Sequence, residues 1–115
     1  MKRLLIAAAL AAIVLTPATA RAARQDFTLY NMTSVAFSHV YFAAAYTDDP
    51  WNRTDLLGQY TLNPNFHIGL YINDTANDCE FDFKAVTSNG TRYETTADVC
   101  KESSVYIYDK DIYNG

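Results

Sequence analysis

Between Cys79 and Cys100 lie two segments of alternating apolar and polar residues joined by an Asn-Gly pair, an arrangement suited to a β-hairpin and to little else. In the first arm Cys79, Phe81, Phe83 and Ala85 point one way while Glu80, Asp82 and Lys84 point the other. In the returning arm Tyr93, Thr95, Ala97 and Val99 oppose Arg92, Glu94, Thr96 and Asp98. A period of two is the mark of a sheet with one buried face, so strands are expected over Cys79 to Val86 and Thr91 to Val99. Asn89-Gly90 tolerates the positive φ angles of the tight turn between them.

The same pattern recurs along the chain. Phe66, Ile68, Leu70 and Ile72 alternate with His67, Gly69, Tyr71 and Asn73, and Val105 and Ile107 with Tyr106 and Tyr108. Further strands are expected over Asp26 to Asn31, Val35 to Tyr46 and Leu57 to Leu62, the last ending at an Asn-Pro-Asn turn. With Ser104 to Asp109 the count reaches about seven. No window is long enough at helical period to make a core helix, and no repeat or linker interrupts the chain. The expected fold is all-β, a single antiparallel β-sandwich of about seven strands. One stretch, Thr47 to Leu56, breaks the pattern: Pro50 interrupts any ladder, and three aspartates surround the only tryptophan, Trp51.

Ahead of this domain, Lys2 and Arg3 precede a twelve-residue apolar run from Leu4 to Leu15, followed by Thr16, Pro17 and small residues. The run is too short for the roughly twenty residues of a membrane span and reads as a signal peptide over residues 1 to 23, cleaved after Ala20 or Ala23. A mature domain over 24 to 115 carries six basic against thirteen acidic residues, a net charge of −7, and all sixteen aromatics. Such a charge repels phosphate backbones and argues against a nucleic-acid partner, and no second apolar run offers a membrane span. In an oxidising compartment Cys79 and Cys100 are expected to close a disulfide worth about 3 kcal/mol in the chain-entropy picture. Metal or redox chemistry finds little footing: there is no CxxC and no third cysteine, and only His39 and His67 offer imidazole nitrogens.

Four segments, FTLYNMTSVAF, VYFAAAYTDDPWNRTDLLG, CEFDFKAV with Asn89-Gly90, and ADVC, together resemble a family of small, mostly uncharacterised exported proteobacterial proteins. The likeness spans most of residues 26 to 107 and lies in the order and spacing of the segments. Asn52, Ser34 and Asn65 stand where that family usually has glycine, glycine and a Pro-Gly turn. The resemblance implies an all-β domain and brings no established activity. It also points to a bacterial host, in which the Asn-x-Thr triplets at Asn31, Asn52, Asn73 and Asn89 are chance rather than glycan sites.

The residues offer three kinds of chemistry. Asp48, Asp49 and Asp55 offer carboxylates for a calcium ion without EF-hand order, and equally the turn-forming bonds of aspartate to neighbouring backbone N–H groups. Trp51 with Tyr46 and Tyr60 offers a platform for a sugar ring or an apolar side chain, or else a plug for an open end of the sandwich. Catalytic pairs are thin. Ser38 and His39 are adjacent on a strand and point to opposite faces; His67 lies on a polar face; Glu80, Asp82 and Lys84 share a face that solvation explains. The expectation is a non-catalytic exported binding domain, periplasmic or extracellular, with an unknown protein or glycan partner, no cofactor beyond a possible calcium ion and no catalytic residue. A cell-envelope or glycan-processing enzyme, or a hydrolase inhibitor, is the alternative.

Overall fold

The computed structural model describes residues 24–46, 50–73 and 78–114. The expected signal peptide and Asp48 and Asp49 lie outside the described residues. Six strands form two packed three-stranded sheets: β1 (Arg24–Met32), β2 (His39–Ala44), β3 (His67–Asn73), β4 (Glu80–Val86), β5 (Arg92–Asp98) and β6 (Ser104–Tyr108). One sheet runs β3-β1-β6, with β1 antiparallel to β3 and parallel to β6; the other runs β2-β4-β5, antiparallel throughout.

The alternation read from the sequence becomes the core. Leu29, Phe83, Ala85, Val105 and Ile107 are buried from three different strands, and Phe27 of one sheet meets Phe83 of the other with ring centroids 5.3 Å apart. The expected disulfide is present, Cys79 to Cys100, with Cα atoms 5.2 Å apart. Cys100 reaches its partner because the Asp98 carboxylate accepts the N–H groups of Cys100 and Lys101 at 3.0 and 3.1 Å and turns the chain at the end of β5. In the β4–β5 turn only Gly90 has positive φ, at 91°. The Gly90 N–H donates to the Thr87 carbonyl, so the turn centres on Ser88 and Asn89, and Gly90 takes the left-handed position that follows.

Among the described residues the strands number six rather than seven, because Leu57 to Leu62 is not a strand. The Asp55 carboxylate accepts the Leu57 N–H at 3.0 Å, and the Gly58 and Tyr60 N–H groups donate to the Asp55 and Leu57 carbonyls, coiling the segment into consecutive turns. Only Leu62 pairs, in a lone antiparallel bridge with Phe37. The expected strand Val35 to Tyr46 shortens to β2 for a related reason: buried Asn31 and Thr33 bind the backbone of residues 33 to 35 into a turn. Asn65, at φ 68°, occupies the left-handed region that favours glycine, and asparagine is the residue next best suited to it.

The two long sides of the sandwich differ. Along β5 and β6 the chain end closes the gap: a 3-10 turn over Asp109–Asp111 leads to a bridge between Ile112 and Tyr93, and the Tyr113 N–H donates to the Arg92 carbonyl at 2.9 Å. Along β2 and β3 the sheets end in two edge strands. The Asn31 N–H donates to the Phe66 carbonyl, so alternation down the antiparallel ladder turns the backbone groups of Ile68, Leu70 and Ile72 toward β1. Those of His67, Gly69 and Tyr71 face outward.

Candidate functional site

The open side holds a cleft of about 830 Å³ between β2, β3 and the loop over residues 52 to 60. Phe42, Leu56, Ile68 and Leu70, partly buried and packed on the core, form its apolar wall. Tyr60, Gln59 and Asn52 supply the polar rim. The loop is fixed to one side of the cleft because it satisfies the edge of β2: the Asn52 and Leu56 N–H groups donate to the Phe42 and Val40 carbonyls, both at 2.8 Å. Asp55 is the clamp. One carboxylate oxygen accepts the Val40 and Leu57 N–H groups at 3.0 Å each, and the other lies 2.7 Å from His39 Nδ1.

Burial pushes the Asp55 carboxyl up, but the hydrogen bonds from His39, Val40 and Leu57 together outweigh it and hold the group below the ordinary carboxylate range. A depressed folded-state pKa means the stabilisation is complete above the unfolded value of about 3.9 and is lost as pH falls through the lower folded value. Asp55→Ala should therefore cost about 1 to 3 kcal/mol at pH 7, from the unpaired Val40 and Leu57 N–H groups, with the cost shrinking toward pH 2. Urea denaturation of both proteins at pH 7 and pH 2 measures it; an equal difference at the two values would contradict the role given to the ionised carboxylate.

The aromatic residues singled out in the sequence fall in separate places. Tyr60 stands at the cleft rim, 71 % exposed, whereas Trp51 is half-buried over the outer face of the β2-β4-β5 sheet. There the Lys84 ammonium lies 4.9 Å from the Trp51 ring and 5.3 Å from that of Tyr41. Burial, then the nearby Arg92 charge, lower the Lys84 pKa against a smaller opposing pull from Glu94. Tyr46 is 83 % exposed and holds a left-handed backbone, φ 62°. For a residue with a Cβ that conformation costs roughly 1 to 2 kcal/mol, so Tyr46→Gly should raise the thermal midpoint by several degrees. A fall in the midpoint would show that the tyrosine ring contributes more than the backbone costs.

Of the possible calcium ligands, Asp55 spends its carboxylate on His39 and two backbone N–H groups. The closest ligand-type cluster among the described residues, Cys79, Cys100 and Asp98, has its two sulfurs joined to each other. Among the groups with acid–base chemistry, His39 sits between Asp55 and the Tyr41 ring, His67 lies 5.2 Å from the Tyr30 ring, Asp82 accepts the Thr96 hydroxyl at 2.6 Å, and Glu80 is exposed opposite Asp98. Asn31 is fully buried and donates both amide hydrogens, which leaves no room for a glycan on it in the folded domain. Sequence reasoning missed the cleft wall, and it missed a row of stacked rings on the outer face of the other sheet, Tyr30 to Tyr106 at 4.6 Å and Tyr106 to Tyr108 at 6.2 Å. The exposed alternate positions Tyr106 and Tyr108 were a signal for that row; their cross-strand partner was not.

No family model, curated protein or solved structure matches this chain. No helix among the described residues is long and apolar enough to cross a membrane.

Proposed function

We propose that this chain is an exported binding domain and that the cleft between β2 and β3 is where its partner sits. The observation that carries the reading is the cleft wall: Phe42, Leu56, Ile68 and Leu70 stay only partly buried although they pack on the core, and the space before them, about 830 Å³, is of the size that ligand sites have. A disulfide and an N-terminal segment with the make-up of a signal peptide support export, and the resemblance to small exported proteobacterial proteins points the same way. The acidic surface supports a protein or small-molecule partner over a nucleic acid.

Nile red, a neutral dye that brightens in apolar clefts, tests the reading. Folded wild type should bind it saturably, and Leu70→Gln, checked for folding by circular dichroism, should weaken that binding severalfold. Absence of saturable binding to the wild type, or undiminished binding to the folded variant, would remove the cleft as the site.

A further inference from the structure

Resting on that reading of the cleft, we propose that its partner is an extended peptide that adds as a strand along β3, with apolar side chains on one face and lysine or arginine on the other. Three observations converge on this. First, the two edges beside the cleft are unequal. The β2 edge is satisfied by its own loop, through Asn52, Leu56 and the Asp55 carboxylate. Along β3, the outward N–H and C=O groups of His67, Gly69 and Tyr71 have no backbone partner among the described residues. A row of unpaired donors and acceptors on an edge strand is a template for another strand.

Second, that row borders the apolar wall. Gly69 and Tyr71 line the cleft together with Ile68 and Leu70. In a strand laid beside β3, alternate side chains would follow Ile68 and Leu70 inward, and the others would follow Gly69 and Tyr71 to the outer face. The space at Gly69 is open, for a Cβ built there meets nothing within 4 Å.

Third, the surroundings set the charge of the outward side chains. The described residues lining the cleft include Asp55 and no lysine or arginine. On the outer face the Arg24 guanidinium, 4.1 Å from the Tyr71 ring, is already paired with Asp26 at 2.8 Å, and the mature domain carries a net charge of −7. A basic outer face complements this field.

The test uses fluorescein-labelled nonapeptides and fluorescence anisotropy with the oxidised mature protein. One peptide alternates valine and lysine; a second alternates valine and glutamate. Two more are valine–lysine peptides N-methylated on alternate amides in opposite phase, so one of them loses the row that would face β3. The expected result is that the valine–lysine peptide binds at least about tenfold more tightly than the glutamate peptide and than one of the methylated pair. Gly69→Pro should lose binding by a similar factor, because its N–H points away from β1 and its replacement removes no bond within the sheet. Gly69→Ala should bind as wild type does. Equal binding of both methylated peptides and their parent, equal binding of the lysine and glutamate peptides, or no binding of any peptide would each overturn the proposal. Should Gly69→Pro fail to fold, the methylated peptides still decide on wild-type protein. If Nile red still binds saturably after such a result, the cleft reading survives and only strand addition falls; if Nile red fails too, both fall.

Discussion

Replacing Asn31 with leucine is expected to lower stability by about 3 kcal/mol or more, a large part of what a domain of this size has. The side chain is fully buried and uses all its bonding capacity. Its Nδ2 donates to the Val35 and Leu62 carbonyls at 2.8 and 2.9 Å, and its Oδ1 accepts the Thr33 N–H and hydroxyl at 2.9 and 2.7 Å. Leucine fills similar space and satisfies none of these groups, leaving a buried Thr33 N–H without its acceptor. The damage reaches the cleft, because the Asn31 backbone also binds Phe66 and Asn65 and so sets where β3 begins. The shift in urea midpoint at unchanged slope measures the loss. A change below about 1 kcal/mol would contradict the role assigned to the side chain.

Removing the disulfide, by Cys79→Ala with Cys100→Ala, is expected to cost about 3 kcal/mol, because the bond closes a separation of 21 residues in the unfolded chain. Much of the folded geometry should survive the loss, since the Val99 N–H still donates to the Cys79 carbonyl and β4 and β5 remain paired over seven residues each. Circular dichroism of the double variant should therefore stay strand-like at low temperature while its urea midpoint falls. A midpoint equal to that of the oxidised wild type would show that the sulfur link contributes little here.

Alternation made the hairpin strands and β6 legible, because each has one face against the core: Phe81, Phe83 and Ala85 are buried as expected, and so are Val105 and Ile107. The strand expected over Leu57 to Leu62 did not form, because the segment serves as a loop held by the Asp55 carboxylate. Alternation also placed Phe66 on the buried face, whereas the turn through Asn65 leaves it 60 % exposed ahead of β3. Pairing partners were not legible at all, since period two says which face is buried and nothing about which strand lies alongside; the parallel β1–β6 pair is the clearest case. The cleft escaped notice for the same reason, because an edge strand and a central one alternate alike. Trp51 was grouped with Tyr46 and Tyr60 by nearness along the chain, while the ammonium that contacts it belongs to a strand thirty-three positions on, at Lys84.

Amide hydrogen exchange along β3 of the oxidised mature domain, resolved residue by residue, tests most directly whether the sandwich is open on this side. The N–H groups of Ile68, Leu70 and Ile72, turned toward β1, should exchange slowly, and those of His67, Gly69 and Tyr71 should exchange rapidly. Slow exchange at all six positions would mean that the outer edge of β3 is already paired, and the cleft would then not be open to a partner strand.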